Sequence, residues 1–238
     1  MNAVQNRGTQ LIKLGIQDYK KTWDFQTNLF EKILAVKSEN RLLPAEDNQP
    51  TDNYLIFCEH PHVYTLGKSG KESNLLIDER TLSSIGASYY HINRGGDITY
   101  HGPGQIVCYP VLDLENFFTD IHRYMRLLEE SVIKTCAALN IQAGRIPGLT
   151  GVWVDFENEK IARKICAMGV KTSRWVTMHG LAFNVNADLS YFDHIVACGI
   201  QDKSVTSVSK ELGAVQDMDA VTEILKNNIV ELFGMKLL

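Results

Sequence analysis

Apolar residues recur along this chain with two periods, and the periods divide it into helices and strands. After Asp18, which is placed to cap a first turn, Tyr19, Trp23, Phe30, Ile33 and Leu34 follow helical spacing to about residue 38. A second amphipathic run follows Asp120, with Ile121, Met125, Leu128, Val132 and Leu139 on one face. A third helix is predicted over about 219–233. Strands are predicted over 10–16, 53–58, 88–92 and 105–114, then over the shorter segments 141–146, 151–156, 160–170 and 176–186. Residues 44–52, from Pro44 to Asp52, are rich in turn formers and read as a surface loop between a helix and a strand. Helices are interspersed with strands without regular βαβ alternation. That pattern predicts an α+β fold, a mixed and largely antiparallel sheet flanked by helices.

Composition narrows the class. A chain of 238 residues, 45% hydrophobic and 22% charged, can bury a core of its own. Its length allows one large domain or two small ones. A formal net charge of −4 argues against broad nucleic-acid binding, which needs many phosphate-neutralising cations. Cys58, Cys108, Cys136, Cys166 and Cys198 form no CxxC pair, and their odd number points to free thiols in a reducing compartment. No apolar stretch follows Met1 and no run is long enough to span a bilayer, so a cytoplasmic location is expected.

Three clusters could carry chemistry. The densest runs from Arg94 to Gln105, Arg-Gly-Gly-Asp-Ile-Thr-Tyr-His-Gly-Pro-Gly-Gln. Its glycines allow a backbone to approach a ligand closely, and Arg94 and His101 add donors. It is neither a Walker A loop nor a dinucleotide fingerprint, and a plain glycine-rich hairpin is the alternative. The second is Arg163-Lys164-Ile165-Cys166-Ala167-Met168-Gly169-Val170, where Lys164 interrupts an apolar strand. Strand alternation puts Lys164 on one face with Cys166 and Met168, opposite Ile165. A lysine partly withdrawn from water can act as a base, whereas on an edge strand it would simply face solvent. The third is Ile195-Val196-Ala197-Cys198-Gly199-Ile200, whose cysteine precedes a glycine in a predicted loop. A thiolate attacks thioesters and esters, but a lone cysteine also serves as a small buried hydrophobe. The histidines show no metal-ligand spacing; His179 could donate to a ligand or simply pack.

Taken together, these segments closely resemble the lipoate-biosynthesis octanoyltransferases, formally octanoyl-[acyl-carrier-protein]:protein N-octanoyltransferases. The resemblance covers about residues 54 to 207. It includes Glu59-His60-Pro61-His62-Val63-Tyr64-Thr65-Leu66-Gly67, the Arg94–Gln105 stretch, Thr150-Gly151-Val152-Trp153-Val154, Lys164 to Gly169, His179 to Asn184, and Cys198-Gly199-Ile200, in the family's order. It implies the biotin and lipoate protein ligase fold, as a single domain over 1–238. It also implies Cys198 as the acyl-accepting cysteine and Lys164 as the acid/base that lowers its thiol pKa. Arg94, Gly95, Gly96, Asp97, Ile98, Thr99, Tyr100 and His101, with Ala167, Met168, Gly169, Gly180, Leu181 and Ala182, match the family's substrate-binding segments. Lys160 offers a rival placement for the lysine, but the family wants a glycine five positions on, which Lys164 has in Gly169. The family usually carries alanine where Cys166 stands and often proline where Ala197 stands.

The implied reaction moves octanoyl from octanoyl-acyl carrier protein, through a Cys198 thioester, to a lysine of a lipoyl domain or glycine-cleavage H protein. It needs no cofactor, metal or ATP, and family members are commonly monomers. Lys68, Lys71, Lys171, Arg174 and Lys203 are candidates for a basic rim that docks the acidic carrier. Two other readings fit parts of the pattern: an ATP-dependent lipoate or biotin protein ligase on the same fold, and a non-catalytic carrier-binding module.

Overall fold

The side chain of Asp18 accepts a hydrogen bond from the Lys21 N–H and starts α1 (Tyr19–Asn40). Asp120 does the same through Arg123 N–H for α3 (Ile121–Ala138). Both caps satisfy donors that a first helical turn leaves orphaned. The structure is a computed structural model that describes residues 6–196 and 204–238.

A mixed sheet lies between the helices. Its spine is β1 (Gly8–Ile16), β2 (Tyr54–Glu59), β6 (Gln105–Val111), β10 (Val176–Asn184), β9 (Arg163–Ser173) and β8 (Val152–Val154), side by side in that order. The pair β1 and β2 is parallel, and the later neighbours along this spine are antiparallel. The short strands β12 (Lys236–Leu237) and β7 (Ala143–Gly144) close the two ends, and β11 (Ser204–Val205) pairs in parallel with β9.

Alternation along β2 shows why this sheet is built of almost unbroken apolar runs. Leu55 and Phe57 join the core beneath α3, α4 (Val208–Leu212) and α5 (Met218–Phe233), where Leu128, Val132, Val208, Leu225 and Ile229 pack. Ile56 and Cys58 join the opposite core beneath α1, with Leu29, Phe30, Ile33, Val107 and Met178. With both faces covered, Tyr54 to Cys58 are all buried. A smaller sheet, β4 (Ser88–His91), β3 (Val63–Leu66) and β5 (Ile98–His101), packs Tyr64, Leu66, Ile98 and Tyr100 over Leu82 of α2 (Glu79–Ser84). Among the described residues no helix is long and apolar enough to cross a membrane.

The expected α+β class and flanking helices are present. The differences are local. β3 and β5 are only four residues long, and β5 lies inside the stretch expected to connect strands. The hairpin β9–β10 turns through Arg174 and Trp175, both left-handed at φ 47 and 66. A two-residue turn of this hand matches strand twist and usually announces itself by Asn-Gly, which is missing here. β9 begins at Arg163 rather than 160, after a turn that includes Lys160.

Candidate active site

Lys164 owes its setting to a bulge. Val152 pairs with Cys166 but Trp153 pairs with Lys164, so Ile165 is an extra residue on β9. A bulge re-aims neighbouring side chains. The simple alternation is therefore wrong: Ile165 and Cys166 both enter the core under α3, and Cys166 does not share a face with Lys164. Nor does Lys164 sit on an edge. It is flanked by Trp153 of β8 and Val205 of β11, and its carbonyl accepts the Thr206 N–H at 3.0 Å. The side chain is buried, with Nζ 4.6 Å from the centre of the Trp153 ring, within cation–π range.

A cavity of about 560 Å³ opens beside it. Arg94, Gly95, Gly96, Asp97, Ile98, Thr99 and His101 form one wall; Ala167, Met168 and Gly169 of β9 with Gly180, Leu181 and Ala182 of β10 form another. The structure thus brings three separate sequence segments around one space. Tyr100 is turned out of it. It is fully buried in the small sheet, its hydroxyl 2.7 Å from His62 Nδ1 and its ring 5.0 Å from that of Tyr191.

Two glycines make the walls possible. A Cβ on Gly180 would collide with the Cys108 carbonyl, and one on Gly169 would lie 2.7 Å from the Gly95 carbonyl oxygen. Gly169 and Gly180 face each other across the β9–β10 ladder. The glycine-rich stretch is held to β9 by the Gly95 N–H, which donates to Val170 O at 2.9 Å. Arg94 is buried and donates through Nη2 to the Thr65 carbonyl at 2.6 Å and through Nη1 to the Gly95 carbonyl at 3.0 Å. Its fork thereby shapes the loop from within.

Other lining residues come from outside these three segments. Tyr19 comes from α1, Met125 from α3, Leu149 and Thr150 from the turn before β8, Phe192 from the segment after β10, and Trp153 and Val205 from β8 and β11. The Trp153 segment belongs to the family pattern, so that signal was available; the rest depend on tertiary assembly.

His101 and His179 line the cavity, and His60 packs against His101. His60 Nδ1 lies 2.7 Å from the Gln17 carbonyl, which can only accept, so this nitrogen carries the proton and Nε2 accepts from the Tyr109 hydroxyl at 2.8 Å. Burial holds the His60 pKa below its ordinary value. Burial, then the neighbouring His60 and Arg94, holds His101 well below. His179 is lowered to about 3 by burial, with help from Arg94 and Lys171. It occupies a left-handed backbone position, φ 62, inside β10, and its N–H donates to Gln26 Oε1 at 3.0 Å.

Cys58, Cys108, Cys136 and Cys166 are all buried free thiols. Burial pushes each of them up, Cys136 to about 12. For Cys166 burial and Cys136 raise the thiol while Lys164 pulls the other way, and the net is well above the ordinary value. These thiols are poor nucleophiles at neutral pH. Cys198, expected to accept the acyl group, and Lys203 of the expected basic rim lie outside the described residues. On either side of that segment, Val196 N–H donates to the Asn74 carbonyl at 2.8 Å, and Ser204 and Val205 pair with Arg163 and Lys164.

Residues 18–230 match the family model described as the lipoyl protein ligase A/B catalytic domain. The chain is 56% identical to the octanoyltransferase of Cytophaga hutchinsonii, over 99% of this chain and 96% of that one. It is 58% identical to the octanoyltransferase of Flavobacterium johnsoniae, over 96% and 97%. In fold it resembles the bi-partite lipoate protein ligase of Thermoplasma acidophilum, with a TM-score of 0.68 over 97% of this chain and 86% of that one at 16% identity. The chain belongs to the octanoyltransferases of the lipoyl protein ligase A/B catalytic domain family, and is an acyltransferase.

Proposed function

We propose that this acyltransferase takes octanoyl from octanoyl-acyl carrier protein onto Cys198 and passes it to a lysine of a lipoyl domain or glycine-cleavage H protein. The observation that carries the reading is the buried amine of Lys164, held by the β9 bulge beside the cavity and flanked by β11, the strand that follows the Cys198 segment. Phe192 upstream of that segment and Val205 downstream both line the cavity. The other four cysteines are disfavoured by burial.

Lys164 takes the proton of the Cys198 thiol, and the thiolate adds to the thioester carbonyl of the donor. The tetrahedral intermediate collapses with loss of the pantetheine thiolate, which leaves as a thiol with the proton from Lys164. The ε-amine of the acceptor lysine then attacks the Cys198 thioester. An amide forms, the cysteine sulfur leaves, and the proton of the amine returns to the dyad. Thioester to amide runs downhill, so no ATP enters. Backbone N–H groups of the glycine-rich walls are candidates for stabilising the oxyanion. The apolar cavity takes the acyl tail, whose seven carbons beyond the carbonyl are worth about 5 kcal/mol when buried.

Of the proposed basic rim, Lys68 and Lys71 are exposed next to the glycine-rich wall, and the Lys68 N–H donates to the Arg94 carbonyl. Lys171 lies over the Phe30 ring and Arg174 donates to Ser38, so both have other duties. Acidic carrier protein docking at Lys68 and Lys71 fits the local charge.

The test is intact-mass measurement after mixing the chain with octanoyl-acyl carrier protein in the absence of ATP. An added octanoyl mass is expected on the parent and on Cys166→Ala and absent from Cys198→Ala. Full transfer by Cys198→Ala, or transfer only with ATP and free octanoate, would favour the ligase reading instead.

A further inference from the structure

Asp97 belongs to the glycine-rich wall of the cavity, yet its carboxylate is occupied within the protein. Both oxygens accept from Asn74 Nδ2, at 2.9 and 2.7 Å, and Oδ1 also takes the Ile98 N–H at 2.6 Å. Asn74 is half-buried in a short 3-10 turn, Glu72–Asn74, on a connection that no motif singles out. Its main chain continues the link. The Asn74 carbonyl accepts the Val196 N–H at 2.8 Å, Leu75 and Ile195 form an antiparallel bridge, and the Leu76 N–H donates to the His194 carbonyl at 2.9 Å. The run from His194 to Val196 is therefore zipped to residues 74–76, and those residues are hooked to the cavity wall by one side-chain pair.

We propose that Asn74 is a positioning residue: the Asp97–Asn74 pair clamps the Ile195–Val196 backbone to the glycine-rich wall and so fixes where the chain leaves for Cys198, two residues on. The proposal rests on the reading of Cys198 as the acyl acceptor. It assigns the Asp97 side chain to the clamp rather than to substrate. The pair is short and charge-assisted, which makes it stronger than a neutral amide contact. Transfer between thioesters is sensitive to the approach of nucleophile and carbonyl, and a misplacement of about 1 Å can cost about a hundredfold in rate.

The full chain is assayed with octanoyl-acyl carrier protein and a lipoyl domain, comparing the parent with Asn74→Asp, Asp97→Asn and the double swap. Asn74→Asp sets two carboxylates against each other and is expected to lower kcat about tenfold or more. KM for the donor should move by less than about threefold, because the cavity itself is unchanged. Hydrogen exchange at the Val196 amide should rise with it. The double swap restores a donor opposite an acceptor and should return kcat and exchange to within about threefold of the parent. A carboxylate at 97 that touched substrate would leave the double swap impaired, so that result overturns the proposal, as does Asn74→Asp with parental kcat. Raised exchange at Val196 without a fall in kcat also overturns it. Asn74→Ala, which deletes the pair without adding charge, keeps the comparison available should Asn74→Asp not fold. Exchange at Val196 reads the clamp whatever the nucleophile is, whereas octanoylation surviving in Cys198→Ala removes the thioester reading on which the proposal stands.

Discussion

At the scale of single residues, Lys164 combines features that seldom coincide. Its amine is buried, it sits over an indole, and an extra residue follows it in the strand. If it polarises Cys198 as proposed, Lys164→Ala should slow alkylation of Cys198 by iodoacetamide at pH 7 by about tenfold or more, read peptide by peptide by mass spectrometry. Alkylation at the parental rate would separate the two residues functionally. Lys164→Arg is a useful companion, since it keeps a cation that cannot accept a proton at this pH. Lys164 stood out in the sequence as a cation in an apolar run, and the family resemblance singled it out. Its surroundings were not legible there, because the bulge depends on how β8 meets β9 and no local pattern encodes that register. The same holds for Tyr100, grouped with its loop neighbours by sequence but rotated into the small sheet by the pleat of β5.

At the scale of elements, α3 does more than cover the sheet. Its Glu129 is fully buried and takes the Gly151 N–H at 3.1 Å, Arg126 Nη1 at 2.6 Å and Arg145 Nε at 2.9 Å. One helical turn earlier, Met125 lines the cavity. The helix thus ties down the turn before β8, where Leu149 and Thr150 also line it. Glu129→Ala leaves a buried N–H and two guanidinium groups short of a partner, and about 3 kcal/mol of stability should be lost. Glu129→Gln, which keeps an acceptor for Gly151, should cost less. Urea unfolding of the two variants checks both magnitude and order, and equal costs would show that the Gly151 contact is unimportant. The helices themselves were readable from spacing and capping, since Asp18 and Asp120 act on N–H groups three residues away. Elements of two to four residues, such as β3, β5, β11 and β12, were hidden because tertiary pairing alone holds them.

At the scale of the whole molecule, α1 covers three histidines that the fold keeps neutral. An unfolded chain takes protons on these imidazoles as pH drops through about 6.5, whereas His60, His101 and His179 resist protonation in the fold. The unfolded state then binds more protons, so stability falls as pH falls. The contribution is complete above about 6.5 and is lost on the way down toward the folded values, about 3 for His179. Across that window the His179 imidazole weakens the fold by about 1.4 kcal/mol per pH unit, and His60 and His101 act in the same direction. Urea midpoints measured from pH 7.5 to 5 should therefore fall steadily, before most carboxylates titrate. A flat profile over this range would mean that the histidines are solvated or charged in the fold.

The facing pair Gly169 and Gly180 has a further consequence for how this enzyme could change its taste in acyl groups. Much of the wall is bare peptide, packed so closely against Cys108 and Gly95 that even a methyl has no room. Evolution and protein engineers alike are shut out of that surface. If the cavity holds the acyl tail as proposed, a change of chain length falls to side chains such as Met125, Leu149 and Met168 around the same hollow.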